Sequence, residues 1–195
     1  MKIGIAGVHY GHIGGMFRSA IAAPNGEVIG IYEPNDEAFR KYADEHGLKR
    51  YDSLEALVEE SDVILEGMRH EEKADLVELC AKHCTHAYLD KPLCRNQDDY
   101  DRIAKAVEQS AIRLTMNFTS RKHPPFVALR EAIQNGELGE IVSLITTHPH
   151  KLGNFAPDWY FDPERYAGTF HDLAGHGVDQ IHWLTGATAA AVHAF

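Results

Sequence analysis

The stretch Gly168-Thr169-Phe170-His171-Asp172-Leu173-Ala174-Gly175-His176-Gly177-Val178-Asp179 carries the side chains best spaced for chemistry. At about 100° per residue, Asp172, His176, Asp179 and Trp183 fall on one narrow helical stripe, while Leu173, Ile181 and Leu184 fall on another side where they can pack. A carboxylate one turn before an imidazole can orient the ring and raise its pKa, so Asp172 and His176 form a candidate acid/base pair. Gly175 and Gly177 each weaken a helix by about 1 kcal/mol relative to alanine; close approach of a ligand or another backbone would justify that cost. Two other readings of the spacing stay open. One is a solvated polar face, and the other is a metal site in which His148 or His150 joins Asp172 and His176. The chain has thirteen histidines, so chance pairings are common, and no metal is expected.

Asp90-Lys91-Pro92 follows directly on a brief apolar strand, Ala87–Leu89. Ligands of a doubly wound sheet bind at the carboxyl ends of its strands. Lys91 is therefore expected to face a cofactor cleft, where an ammonium can hydrogen-bond a reacting hydroxyl and stabilise a developing alkoxide. The plain alternative is a surface lysine before a rigidifying proline, whose bond can be trans or cis. A third candidate is the turn Gly7-Val8-His9-Tyr10-Gly11-His12, since strand, glycine turn and helix together place a pyrophosphate at a helix N-terminus. Only Gly7 keeps its place in G-x-G-x-x-G. His9 stands at the second glycine position and Gly11 falls one place early for the third. Gly7, His9, Gly11, His12 and Ile13 are the candidate cofactor-binding residues here, with Lys91 at the nicotinamide end. Glu33 ends the second strand, where a carboxylate can accept hydrogen bonds from ribose hydroxyls and repel a 2′-phosphate; this favours NAD over NADP. An ordinary glycine turn and a surface carboxylate before Pro34-Asn35 are the alternatives.

Elements must hold these residues in place. From residue 1 to about 118 strand and helix alternate: strands at Lys2–Ala6, Val28–Glu33, Asp62–Glu66, Ala87–Leu89 and around Ile112–Met116, with helices at Ile13–Ala23, Asp36–His46 and after Asp52. Asp52 and Glu55 stand at capping-box spacing. Ala74, Val77, Ala81 and Cys84 recur at helical spacing, as do Tyr100, Ile103, Ala104 and Val107. Strands joined by helices need crossover connections, so the pattern predicts a doubly wound parallel sheet with helices on both faces. Beyond residue 118 the pattern predicts a helix over Pro124–Gln134 that stops at Asn135-Gly136, a β-rich Ile141–Thr147, a helix over Phe170–Leu184 and a strand at Ala189–Phe195. That last strand has nothing to pair with, so the second domain is expected to be incomplete. The expected division is a dinucleotide-binding domain over 1–118 and the start of a catalytic, substrate-binding domain over 119–195.

The bulk numbers narrow the class. A chain of 195 residues with 44% hydrophobic and 25% charged residues is globular and large enough for one core plus part of another. A formal net charge of −10 without a lysine or arginine block argues against nucleic acid or anionic membrane as a partner. No segment approaches membrane-spanning length. Met1–Gly7 enters a strand-like run at once, which leaves no room for a signal peptide. Cys80 and Cys84 sit on the apolar stripe of a helix as buried thiols would, and with Cys94 they point to a reducing, cytoplasmic compartment.

Four segments in register resemble the glucose–fructose oxidoreductase, inositol dehydrogenase and MocA family. Asp90-Lys91-Pro92 is similar to its Glu-Lys-Pro element, and Asn117–Arg121 with Pro124 to the stretch that opens its second domain. Gly136-Glu137-Leu138-Gly139-Glu140-Ile141 is similar to its Gly-x-Leu-Gly-x-hydrophobic turn, and Gly168–Asp179 to its Gly-Gly-x-x-x-Asp-x-x-x-His-x-x-Asp helix. The resemblance implies a Rossmann domain followed by an α/β domain with a large open mixed sheet, and homo-oligomers where that sheet is present. It also implies hydride transfer between NAD(P) and a sugar, cyclitol or polyol hydroxyl. Lys91, Asp172 and His176 are then the catalytic trio: His176 moves the hydroxyl proton, Lys91 polarises the oxygen and Asp172 positions substrate and imidazole. Where the family often has Thr-Pro-x-x-x-His, this chain has Met68-Arg69-His70-Glu71-Glu72-Lys73. A non-catalytic dinucleotide-binding regulator, or a hydrolase or lyase assisted by transient NAD oxidation, are the alternative functions.

Overall fold

The computed structural model describes residues 1–9, 12–151 and 156–193. Five short strands rich in aliphatic residues, β1 (Lys2–Ala6), β2 (Glu27–Tyr32), β3 (Val63–Glu66), β4 (His86–Asp90) and β5 (Leu114–Asn117), form one sheet in the order β2-β1-β3-β4-β5. Every pairing is parallel, so each connection crosses a face of the sheet and carries a helix. These helices are α1 (Ile13–Ile21), α2 (Asp36–Ala43), α3 (Leu54–Glu60), α4 (Lys73–His83) and α5 (Gln97–Glu108). The strand period of two sends neighbouring side chains to opposite faces. Ile3, Ile5 and Leu65 pack with Ile13, Met16 and Phe17 of α1. Ala6, Ile64, Ala87 and Leu89 pack on the other face with Leu57 of α3, Leu76 of α4 and Ile103 of α5. Each fully buried aliphatic side chain stabilises such a sandwich by about 1.5–3 kcal/mol.

Side-chain caps start the helices. Asn35 Oδ1 accepts from Ala38 N at 2.9 Å, Ser53 Oγ from Ala56 N at 3.1 Å and Asn96 Oδ1 from Asp99 N at 2.9 Å. The cap of α3 is therefore Ser53, not the expected Asp52–Glu55 box, because Ser53 holds the extended conformation (φ −139°, ψ 150°) that aims its hydroxyl at the first turn. Cys84 departs as well. The helix ends one residue earlier, and Cys84 takes a left-handed φ of 57° at the cap of α4, exposed, while Cys80 is buried.

The chain divides into two compact units, Met1–Asn117 with Pro157–Gly168, and Phe118–Ala156 with Thr169–Phe195. In the second unit, α6 (Pro124–Gln134) carries proline at its first turn and is followed by Gly136 at φ +75°. A π-helical turn, Phe170–Ala174, runs into α7 (Gly175–Thr185), where a single α-helix was expected. Ile141–Thr147 was expected to be β-rich, yet it forms no strand, and neither does Ala189–His193. A strand needs a partner for its backbone groups, and no described segment pairs with either; Ala194 and Phe195 lie outside the described residues. Among the described residues no helix is long and apolar enough to cross a membrane.

Candidate active site

Gly7 directly follows β1, at the switch point where the strand order reverses between β1 and β3. Its φ is +71°, and a Cβ there would stand 2.6 Å from Met68 Cγ, so only glycine fits. Gly7 N donates to Tyr32 O and His9 N to Gly67 O, both at 2.8 Å, which ties the turn to the ends of β2 and β3. Glu33, one residue past β2, is buried. Its carboxylate accepts from Val8 N at 3.0 Å and Asn35 N at 2.8 Å, and His9 Nε2 lies 3.2 Å from its Oε1. The hydrogen bond to Glu33 raises the His9 pKa against the effect of burial. For Glu33, burial pulls the pKa up, but His9 and the Asn35 N–H outweigh it and hold the carboxyl below its usual range. A cavity of about 360 Å³ opens beside this pair, walled by Gly7, His9, Tyr32, Glu33, Arg69 and Glu72. Arg69 is paired with Glu72 at 2.9 Å. Among the other expected turn residues, Ile13 is fully buried in the core, His12 Nδ1 lies 3.0 Å from Asp90 Oδ2, and Gly11 lies outside the described residues.

Lys91 is buried just past β4, before a cis Pro92. Its backbone N donates to Asp90 Oδ1 at 3.0 Å, and Asn117 Nδ2 donates to the same oxygen at 3.3 Å. Tyr88 OH in turn donates to Asn117 Oδ1 at 2.8 Å. Behind Lys91 lies a buried ion pair that sequence reasoning missed, Lys73 with Glu66 at 3.1 Å. Burial pushes the Glu66 carboxyl up to about 7 against the pull of the Lys73 ammonium. The only outward sign was that Lys73 stands at the histidine place of the Thr-Pro-x-x-x-His element.

In the second unit the polar stripe of Asp172, His176 and Asp179 is the buried one, while Val178 and Ile181 are exposed; the expected packing of Ile181 is not found. Asp179 pairs with Arg121, whose Nε lies 3.0 Å from Oδ2, and Gln180 Nε2 donates to Ser120 Oγ at 3.0 Å. Asp179 and Gln180 thus point inward to partners that the 119–122 turn supplies. His176 meets Phe118 edge-on at 6.0 Å and stacks on His148 at 5.7 Å between ring centroids. Gly177 is needed where this segment passes: a Cβ there would lie 2.7 Å from Thr146 Oγ1. Among the described residues no group of three or more histidine, cysteine or acidic side chains is arranged to hold a metal.

The dinucleotide-type turn with a buried acid after β2, on a parallel sheet of this order, belongs with a sequence match that spans the chain. Residues 1–118 match the model of an oxidoreductase family with an NAD-binding Rossmann fold, and residues 126–195 match the GFO/IDH/MocA C-terminal domain. The chain belongs to the GFO/IDH/MocA oxidoreductases. It is similar to a myo-inositol 2-dehydrogenase of Thermotoga maritima, at 26% identity over 100% of this chain and 58% of that protein. It is also similar to a glucose-6-phosphate 3-dehydrogenase of Bacillus subtilis, at 26% identity over 94% and 53%. In fold it resembles the crystal structure of the WlbA dehydrogenase of Bordetella pertussis in complex with NADH and UDP-GlcNAcA, with TM-score 0.76 and 24% identity, over 94% of this chain and 55% of that one. The chain thus spans little more than half the length of these relatives.

Proposed function

We propose that the protein is an NAD-dependent dehydrogenase of a sugar, cyclitol or polyol hydroxyl, with 1–118 as its cofactor domain and 119–195 contributing to the substrate domain. The observation that carries this reading is Glu33, a buried carboxylate past β2 beside a positive-φ glycine and a cavity of about 360 Å³. A carboxylate at that place accepts hydrogen bonds from a ribose diol and repels a 2′-phosphate, which favours NAD over NADP. Gly7, His9, His12 and Ile13 are assigned to the pyrophosphate side, together with Gly11, which lies outside the described residues. When bound, the dinucleotide supplies the hydride acceptor. The ammonium of Lys91 then orients the substrate hydroxyl and stabilises charge growing on its oxygen. The imidazole of His176 takes the hydroxyl proton, and Asp172 orients the imidazole. The relatives' names, an inositol and a glucose-phosphate dehydrogenase, support a cyclic polyol or sugar as substrate class. The three free thiols and the net charge of −10 support a cytoplasmic enzyme with no nucleic-acid partner.

The test is to mix the protein with NAD and a panel of cyclitols, polyols and aldoses while following the absorbance of reduced cofactor. Growth of the NADH signal is expected, and Lys91→Ala or His176→Ala should lower kcat by about 10²–10⁴-fold with the circular dichroism unchanged. Full turnover in either variant would remove the assigned mechanism. Cofactor binding without turnover on any substrate would favour a dinucleotide-binding regulator, and product release without net NADH a hydrolase or lyase.

A further inference from the structure

The carbonyls of the residues before and after Lys91, Asp90 and Pro92, are held by one buried side chain. Lys73, the first residue of α4, is 1% exposed. Its Nζ lies 2.6 Å from Asp90 O, 2.9 Å from Pro92 O and 3.1 Å from Glu66 Oε2. Three acceptors match the three hydrogens of an ammonium. Glu66 completes the frame: its Oε2 accepts from Asp90 N at 3.1 Å and its Oε1 from Met68 N at 2.6 Å. The ends of β3 and β4 and the turn after β4 are therefore tethered to a single ion pair.

Packing alone does not call for such a pair. Desolvating an ammonium and a carboxylate is costly, and apolar residues of similar volume often fill such a place at least as stably. Lys73 also stands at the start of a helix, where the macrodipole disfavours a cation. What the pair does that an apolar pair cannot is grip two carbonyls, those of Asp90 and Pro92, with Lys91 between them. We propose that Lys73, anchored on Glu66, is a positioning residue that fixes the backbone on both sides of Lys91 and so sets where the Lys91 amine stands.

This deepens the dehydrogenase reading and rests on it only for what Lys91 then does, so the test reads Lys91 without turnover. The full chain is acetylated with trace acetic anhydride across a pH series, and mass spectrometry gives the rate at Lys91 relative to exposed Lys41 and Lys105. In Lys73→Met the relative rate at Lys91 is expected to change by about tenfold or more, as small misplacements of a held group change its reactivity, with Lys41 and Lys105 unmoved. A folded Lys73→Met variant with an unchanged Lys91 profile overturns the proposal, since a lysine that merely fills the core would lower the melting temperature alone. If Lys73→Met does not fold, Glu66→Gln carries the same test: it keeps the size of the side chain and removes the counter-charge. A smaller change at Lys91 supports the proposal and none overturns it. NADH formation by the unaltered protein is scored separately, so failure of the dehydrogenase reading and failure of the positioning role give different results.

Discussion

His9 occupies a place where a dinucleotide turn commonly has glycine, and it spends its ring on Glu33, 3.2 Å from Oε1. The pair sets a pH window for stability. His9 has its pKa raised above 6.5, so its contribution is full below 6.5 and is lost as pH rises through the folded value. Glu33 is lowered below 4.5, so its contribution is present above 4.5 and is lost as pH falls through its folded value. His9→Gln should therefore lower the melting temperature most between these limits and make little difference in alkali; a loss of equal size at every pH would show that the ion pair contributes nothing. The same carboxylate is the one proposed to govern cofactor choice. Glu33→Ala should weaken NAD binding by about tenfold, the worth of a charge-assisted hydrogen bond or two, and weaken NADP binding less. Titration calorimetry with both dinucleotides measures this, and equal losses would take Glu33 out of the ribose site. The cofactor preference could be read from the chain, where Glu33 was already a ribose candidate, but the pH window could not, because nothing in the spacing placed His9 against Glu33.

At the scale of elements, charges buried under helices decide more than propensity does. Glu66 ends β3 fully buried, and burial lifts its pKa from 4.5 to about 7 with Lys73 opposing and Asp90 reinforcing the shift. A raised carboxyl stabilises the fold fully below 4.5, and that contribution is lost as pH rises through about 7. Thermal melts should show wild type losing ground to Glu66→Gln between these values, and parallel melting curves would contradict the assignment. Cys84 offers a simpler case. A non-glycine residue at φ 57° pays about 1 kcal/mol or more for the left-handed conformation, while glycine there costs some chain entropy in the unfolded state. Cys84→Gly should raise the urea midpoint slightly, and a lowered midpoint would mean that the thiol makes contacts worth keeping. The legibility of the sequence follows the same division. All five strands and the helices of the first unit could be read from aliphatic runs and helical spacing, because those patterns record burial on a regular lattice. Glu66 and Lys73 drew no role from the sequence, since period alone does not reveal a partner brought from another element. Ile141–Thr147 read as β-rich because propensity is local, whereas a strand exists only through a neighbour that no described residue provides.

The molecule as a whole is organised by a chain that leaves its first unit after Asn117 and returns to it for Pro157–Gly168. The returning segment is fastened at His70, which is buried and whose Nδ1 accepts from Ala167 N at 3.1 Å. Trp159 meets the His70 ring edge-on at 4.9 Å and Tyr166 stacks on it at 5.5 Å, while Tyr160 stacks on Tyr166 at 4.7 Å. Arg95 adds a tether, its guanidinium donating to Glu164 O while Asp99 holds it at 2.8 Å. The sequence placed this segment in the second domain, because adjacency along the chain was the only guide and an aromatic cluster reads the same in either location. The fastening has a measurable consequence. Trp159 is 6% exposed, and removing a buried indole costs about 3–5 kcal/mol, here charged against the docking of one short segment as well as against global stability. Trp159→Ala should therefore speed tryptic cleavage after Arg165 under native conditions by more than it lowers the global melting temperature would require, because local opening of the segment exposes that bond without unfolding the sheet. Cleavage that tracks global unfolding alone, with the same dependence on urea, would mean that the segment and the sheet open only together.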